Sequence, residues 1–411
     1  MILNRLHQID LKLIVQLVVA ALFSGIVPLL LEPFFKSNFS PEEYGNFDLF
    51  LKLTMIFSLI MTFKTETILS SSNEKDIKEY FNSSISLSLT TFSFYTIAYL
   101  IFFFLYPTKP SITIYYALIS GLLFSLINTT ITYLLRQKHR LFVSLQKPIR
   151  RFAEALILIA FVFTVKPHNA LELSTIIGLL ISLLPLLKIS GLSIKTLNFK
   201  IKNQLQIINK SKSILMGEVL NVISLSFLSF FTYLNYSVSD LGVLELSFKI
   251  LSIPQLLICG ALSIIIQNNI GKLVSENKSI ISNVKSYFFF LLAMSIIFTA
   301  TIFYSSDYII SVFFEKQWSQ SSVYTLILLP HLFFFIIFSP LSRVLYALMK
   351  NKLVRNWQLL KLLLILSSVV FSKMNLSDYL LYYSILSGFS YAILIFFIFK
   401  AVKDHERLIT Q

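Results

Sequence analysis

Tyr44-Gly45-Asn46-Phe47-Asp48-Leu49-Phe50-Leu51-Lys52-Leu53 and Leu241-Gly242-Val243-Leu244-Glu245-Leu246-Ser247-Phe248-Lys249-Ile250 follow one pattern. At one constant offset, 197 residues, glycine falls on glycine, an acid on an acid and lysine on lysine. Each copy opens the second long apolar run of its half of the chain. Six runs per half return the chain to the side it started from. The halves are therefore expected as parallel repeats related by an axis along the membrane normal.

The runs around these copies set the fold class. Of 411 residues, 56% are hydrophobic and 13% charged, against about 25% charged in soluble domains. Mean hydropathy is +0.76. A helix crosses the hydrocarbon core with about 20 apolar residues. Runs of that order lie near 11–35, 45–69, 80–105, 112–135, 149–165, 171–187, 214–234, 241–266, 284–304, 321–349, 357–372 and 379–399. Barrel strands would alternate over about ten residues, whereas these runs are longer and uniformly apolar. The expected fold is all-α and polytopic, with about 12 transmembrane helices in two six-helix bundles. The bundles are expected over residues 1–190 and 214–411, joined by a basic cytoplasmic connector at 191–213. A soluble enzyme, a disordered chain and a fibrous chain are excluded. The first run lacks a small-residue cleavage site and is expected to be retained.

Lys and Arg number 35 against 20 acids, a net charge of +15. With a cytoplasmic N-terminus, most of these cations fall on inner segments, Arg136 to Arg151 and Lys188 to Lys212 being the richest. Outer segments hold only Lys36, Lys109, Lys166, Lys316 and Lys373. That asymmetry puts both termini in the cytoplasm and explains the charge without nucleic acid. The connector also suits anionic headgroups. The single cysteine, Cys259, allows no intrachain disulfide and no cysteine-built zinc site.

Charges inside spans are expensive and usually face a cavity or a partner. Asp48/Lys52 and Glu245/Lys249 are spaced i, i+4, on one helix face. Either each pair neutralises itself for insertion, or both line a cavity where substrate or ion splits them. Arg343, just after Pro340, has no acid nearby in sequence and is a candidate for a substrate phosphate, with Lys249 and Lys52. Glu218 also lacks a local partner and could carry a proton or cation, and His331 reads as a packing histidine or a proton relay. Asp48 and Glu245 join these as candidates for ion coupling or gating. Glu154, one turn after Arg150 and Arg151, is expected as an interfacial bridge, and Lys361 to snorkel to the inner interface. Pro28, Pro33, Pro185, Pro254, Pro330 and Pro340 fall within spans and permit bends. No two glycines lie within four positions of each other, so nucleotide-binding loops are absent. The five histidines are scattered, and neither metal nor cofactor is expected.

Several segments carry a family likeness. Pro33-Phe34-Phe35-Lys36-Ser37-Asn38-Phe39-Ser40-Pro41-Glu42-Glu43-Tyr44-Gly45 resembles the signature between the first two helices of Wzx-type O-antigen and polysaccharide flippases, of the MOP superfamily that also holds the MATE exporters. Phe63-Lys64-Thr65-Glu66-Thr67-Ile68-Leu69, followed by Asn73-Glu74-Lys75-Asp76, is similar to that family's Arg-Tyr-Glu-x-Ala-Ile segment and charged loop. Phe313-Phe314-Glu315-Lys316-Gln317-Trp318 and Phe338-Ser339-Pro340-Leu341-Ser342 resemble its Gly-x-x-Trp and Pro-Leu-Ser elements. Lys36 stands where arginine is usual, losing the forked guanidinium, and Glu315 where glycine is usual.

The resemblance implies a non-enzymatic flippase of O-antigen or related lipopolysaccharide biosynthesis. It would move an undecaprenyl-diphosphate-linked oligosaccharide from the cytoplasmic to the periplasmic leaflet of a bacterial inner membrane, by alternating access through a partly cationic cleft between two halves. H+ or Na+, membrane lipids, and polysaccharide polymerase and chain-length machinery are the implied partners. The resemblance adds Lys64 and Glu66 to the candidates for ion coupling or gating. A MATE-like ion-coupled exporter of small molecules is the alternative. A polysaccharide polymerase or ligase is a further one, for which no outer segment is long enough to hold a catalytic domain.

Overall fold

The computed structural model describes residues 25, 28–71, 76–105, 111–164, 166–193, 197, 199–255 and 259–410. Among them every regular element is a helix. Most of the run near 11–35, the Asn73–Lys75 loop and Lys109 lie outside the described residues. Residues 28–38 form α1. There follow α2 (Pro41–Thr62), α3 (Glu66–Ser71), α4 (Ile77–Leu105), α5 (Ile112–Arg136), α6 (Arg140–Phe163), α7 (Ala170–Ser190) and α8 (Ile201–Asn235). The rest of the chain forms α9 (Val238–Pro254), α10 (Gly260–Ser275), α11 (Ile281–Phe313), α12 (Gln320–Ile327), α13 (Leu329–Leu341), α14 (Arg343–Ala347), α15 (Asn351–Ser367) and α16 (Leu376–Thr410). Nine stretches among the described residues are long and apolar enough to cross a membrane.

The expected runs are largely helical where they are described, but the run at 45–69 is interrupted at residues 63–65 and the run at 321–349 is subdivided near its prolines. In the run at 241–266, α9 ends at Pro254 and α10 begins at Gly260, with residues 256–258 outside the described residues. The run at 321–349 becomes α12, α13 and α14, with Pro330 in the first turn of α13 and Pro340 in its last. Proline removes one helical hydrogen bond and clashes with the preceding turn. An uninterrupted apolar composition conceals the subdivision of the run at 321–349.

The chain divides into two compact units. One holds the residues up to Asn38 and Asn46–Val222; the other holds Phe39–Gly45 and Ile223–Gln411. This differs from the expected connector at 191–213, because α8 is helical from Ile201 without interruption. Gln204, Ile207 and Ser211 are buried while Lys202, Lys210 and Lys212 are exposed, a helical stripe docked on its own unit. Gln204 Nε2 donates to Thr90 Oγ1 at 3.2 Å, and Lys210 Nζ to Tyr80 Oη at 2.6 Å, both on α4. The basic segment is thus partly helical, continuous with the span that starts at Ile214, and held to the first unit.

In the first unit, α7 packs on α5 and α6, and α4 on α5, around Phe50, Phe81, Ile85, Leu134 and Leu179. In the second, α13 packs on α16 and α11, and α15 on α16. Its two apolar cores centre on Leu332, Tyr379 and Leu380 and on Leu291, Val344 and Leu394. Lys36, expected in an outer loop, is fully buried in α1, with Nζ 3.8 Å from Glu32 Oε1. The i, i+4 pairing makes burial of that charge affordable.

The repeat is visible in the geometry of the second unit. Ser40 and Glu43 form a reciprocal cap at the start of α2: Glu43 N–H donates to Ser40 Oγ at 3.2 Å, and Ser40 N–H to Glu43 Oε2 at 2.7 Å. At the same 197-residue offset, Ser237 and Asp240 form the same capping box on α9. Such a box satisfies two backbone donors that the first helical turn leaves open. Gly45 lies against Val238, where a Cβ would fall 2.0 Å from the Val238 oxygen, and Gly242 lies against Pro41, at 1.7 Å from its oxygen. Pro41 and Val238 are themselves one offset apart. The two first turns cross reciprocally, through positions where only glycine fits.

Candidate functional site

A cavity of about 380 Å³ opens within the first unit. The face of α2 bearing Lys52, Met55, Leu59 and Thr62 lines it, at the i, i+3, i+4 spacing of one helical stripe. At the end of α2 the chain leaves helical geometry, with Phe63 at φ 47° and Lys64 at φ 57°. Non-glycine residues adopt this left-handed conformation rarely and at a cost. The break turns Lys64 into the cavity and restarts the helix at Glu66. Lys64 Nζ lies 3.5 Å from Glu66 Oε1 and 3.7 Å from Glu218 Oε2, the latter on α8.

The opposite wall comes from α6. Glu154 Oε2 accepts from Arg151 Nη1 at 2.8 Å, and Glu154 Oε1 lies 3.4 Å from Arg150 Nε. Arg150 rests over the Phe124 ring of α5, 5.2 Å from its centroid. Gly178 of α7 makes this wall possible, since a Cβ there would fall 2.4 Å from Glu154 Cγ and 3.1 Å from the Arg150 carbonyl oxygen.

Electrostatically the cavity is balanced. Among the described residues, Lys52, Lys64, Arg150 and Arg151 face Glu66, Glu154 and Glu218, and Asp48 Oδ1 lies 3.5 Å from Lys52 Nζ. Several polar atoms here are buried without a hydrogen bond: Thr54 Oγ1, Glu66 Oε2, Arg150 Nε and Glu154 Oε1. In a dry core each such atom would cost about 1–3 kcal/mol. Beside a polar cavity they stand ready for water or a polar occupant.

The sequence candidates therefore separate. Lys52, Lys64, Glu66 and Glu218 line one cavity, with Asp48 paired to Lys52 at its edge. Arg150, Arg151 and Glu154, expected only as an interfacial bridge, form a wall of it. Their grouping near a helix start was legible; the Gly178 contact that brings α7 against them was not. Lys249, Arg343 and His331 lie in the second unit. Lys249 Nζ sits 3.1 Å from Glu245 Oε1 and over the Tyr44 ring, 5.5 Å from its centroid. Arg343 is exposed and lies over the ring of Tyr346, 5.2 Å from its centroid.

His331 packs as a hydrogen-bonded histidine, its Nδ1 2.9 Å from Ser387 Oγ and its ring against Phe335 and Tyr391. Lys361, expected to snorkel to the inner interface, is instead buried. Its Nζ donates to Tyr391 Oη at 3.0 Å and lies over the Trp357 and Tyr391 rings. Aromatic faces attract a cation and replace water there. Among the described residues no three His, Cys, Asp or Glu side chains gather as metal ligands would.

No family model matches the chain, and no curated protein matches it by sequence. Solved structures do match. A multidrug resistance MATE family transporter of the MOP superfamily, in an inward-facing conformation, superposes with a TM-score of 0.69 at 11% identity, covering 95% of this chain and 96% of its own. The lipid II flippase MurJ, in an inward closed conformation, gives 0.69 at 16% identity, covering 95% of this chain and 87% of its own. A MATE transporter of Vibrio cholerae, VcmN, gives 0.60 at 14% identity over 97% of this chain and 98% of its own. The chain has the MOP/MATE-like fold.

Proposed function

We propose that this chain is a membrane transporter, and specifically a Wzx-type flippase moving an undecaprenyl-diphosphate-linked oligosaccharide to the outer leaflet of a bacterial inner membrane. The observation that carries the reading is the balanced charge lining of the first unit's cavity, where buried polar atoms such as Thr54 Oγ1 and Glu66 Oε2 have no hydrogen bond. A diphosphate and its sugars cannot enter hydrocarbon, while the polyprenyl tail can remain there. Arg151 and Lys64 offer charge-assisted contacts to phosphate oxygens, each worth about 1.5–3 kcal/mol. The cavity volume falls within the roughly 300–1,000 Å³ of small-ligand sites. The fold shared with a lipid flippase and with MATE exporters supports transport rather than covalent chemistry.

Charge balance supplies a coupling logic. Every cation in the lining has a carboxylate close by, so an anion must displace one. A proton or Na+ taken up at Glu218, whose carboxylate is the more exposed of Lys64's two partners, leaves Lys64 balanced by Glu66 alone, so that the ammonium group can also attract the diphosphate. Release on the far side reverses the exchange. Both termini lie in the cytoplasm on this reading, and the flipped lipid passes to polymerase and chain-length machinery.

The test is translocation by the purified chain in proteoliposomes loaded with the lipid-linked oligosaccharide. Lys64→Gln and Arg151→Gln should each slow flipping about tenfold or more at unchanged protein level. Flipping at wild-type rate in both variants would refute the assignment. The same lining also carries accessible carboxylate at Glu218, which favours a second reading, MATE-like export of organic cations. Ion-driven efflux of such cations, with no flipping, would establish that reading instead.

A further inference from the structure

A second cavity, of about 390 Å³, lies in the second unit where the start of α11 meets the end of α16. Three cations surround it: Lys285 on α11, and Lys403 and Arg407 on α16. One acid is present, Glu406, and its Oε1 already accepts from the Ile280 backbone N–H at 2.7 Å. His405 Nε2 lies 3.3 Å from the Lys278 carbonyl oxygen. These two contacts fix the end of α16 against the turn before α11, so the cavity is a built feature rather than a gap between loose ends. Val284 and Val402 form its apolar floor.

What continues from the cavity identifies its occupant. On α16, Arg407, Lys403, Phe399, Phe396, Phe389 and Ile385 fall on one face at helical spacing, and all are exposed. On α11, Lys285, Phe289, Ile296 and Phe303 share one face and are exposed too. Each face runs from a cation into an apolar track. The helices have 33 and 35 residues, or about 50 Å each at 1.5 Å per residue, against a hydrocarbon core of about 30 Å. The cationic ends therefore reach the headgroup layer while the aromatic tracks lie in lipid. A free phosphate would use only the cations; a phospholipid uses both.

We propose that this cavity holds the phosphate of an anionic membrane phospholipid, with an acyl chain along the Phe399–Phe396 track. Lys285, Lys403 and Arg407 contact the phosphate, and basic pockets at the ends of transmembrane helices are suited to such headgroups. The site is separate from the first unit's cavity and does not depend on what is transported.

Native mass spectrometry of the full-length protein in detergent, titrated with phosphatidylglycerol, tests it. The wild type should retain phosphatidylglycerol and not phosphatidylcholine. The K285Q/K403Q/R407Q variant should lose retention about tenfold. A charge-matched control away from the cavity, K350Q/K352Q/R355Q, should keep it. Phe399→Ser, which preserves every charge, should weaken retention several-fold and so covers the case in which the triple variant does not fold. Equal retention by the control and the cavity variants would overturn the proposal. So would displacement of the lipid by an equal concentration of inorganic phosphate, which would make this a simple anion site.

Discussion

Lys64 is shared between two carboxylates, and the consequence of removing it follows from their burial. Glu66 has a side chain only 11% exposed against 26% for Lys64. Stripping a buried carboxylate of its partner costs about 3–5 kcal/mol when both are fully enclosed; with this partial exposure about 1–2 kcal/mol is expected, closer to a surface pair. Lys64→Gln should accordingly lower the melting temperature in detergent, and adding Glu66→Gln should restore most of the loss. A double variant no more stable than the single one would show that the two charges are not coupled. Asp48→Asn with Lys52→Gln asks a different question. If the pair serves only insertion, the double variant transports normally; if Lys52 contacts substrate, it fails although both charges are gone. The i, i+4 spacing made the Asp48–Lys52 and Glu245–Lys249 pairs legible in the sequence. Glu218 meeting Lys64 was not, because partners so far apart in the chain leave no local pattern. Lys361 misled for another reason: hydropathy sees a charge near an interface and cannot see an aromatic cage.

Close approach between helices carries the next set of effects. At Gly178 a methyl group collides with Glu154 Cγ and approaches the backbone oxygen of Arg150. Gly178→Ala should push α7 from α6, destabilise by about 1–3 kcal/mol as overpacking does, and slow transport by disturbing the arginine wall. Gly271 lies inside α10 with nothing within 4 Å of a built Cβ. Gly271→Ala should be neutral or stabilising by up to about 1 kcal/mol, the difference in helix propensity. Thermal melting of the two variants side by side distinguishes local crowding from a general intolerance of change. The existence and order of the helices were readable from run length, since of the two structures that satisfy their backbone in lipid, helices and closed barrels, only helices use apolar runs this long. Their subdivision was not: the interruption at residues 63–65 and the break after Pro340 lie within largely apolar sequence. Nor was the early start of α8, whose lysines look like a loop until Gln204, Ile207 and Ser211 are seen to be buried.

The repeat operates at the scale of the molecule. The Ser40–Glu43 and Ser237–Asp240 boxes and the reciprocal Gly45 and Gly242 contacts share one offset, which extends the ten-residue match to the helix caps. Because the glycines meet in a single crossing, their effects should not add. Gly45→Ala and Gly242→Ala should each lower the melting temperature, and the double variant should fall little below the worse single one. A fully additive loss would mean that the crossing is not a shared contact. Topology can be checked with the same protein. Cys259, the single cysteine, is buried, so background labelling by an impermeant maleimide should be small. Lys138→Cys should label only from the cytoplasmic side and Lys316→Cys only from outside. The opposite pattern would invert the orientation read from the basic loops.

The left-handed backbone at Phe63 and Lys64 has a consequence for anyone improving this protein by laboratory selection. Glycine and asparagine take up that conformation at little cost, so a screen that rewards heat resistance alone should enrich them at position 63, where no ion pair is lost. At position 64 the same relief is offset by loss of the ammonium group that Glu66 and Glu218 share. Glycine at position 64 would gain little heat resistance and lose transport, so screens for heat resistance and for growth should both keep the lysine and leave relief of the turn to position 63.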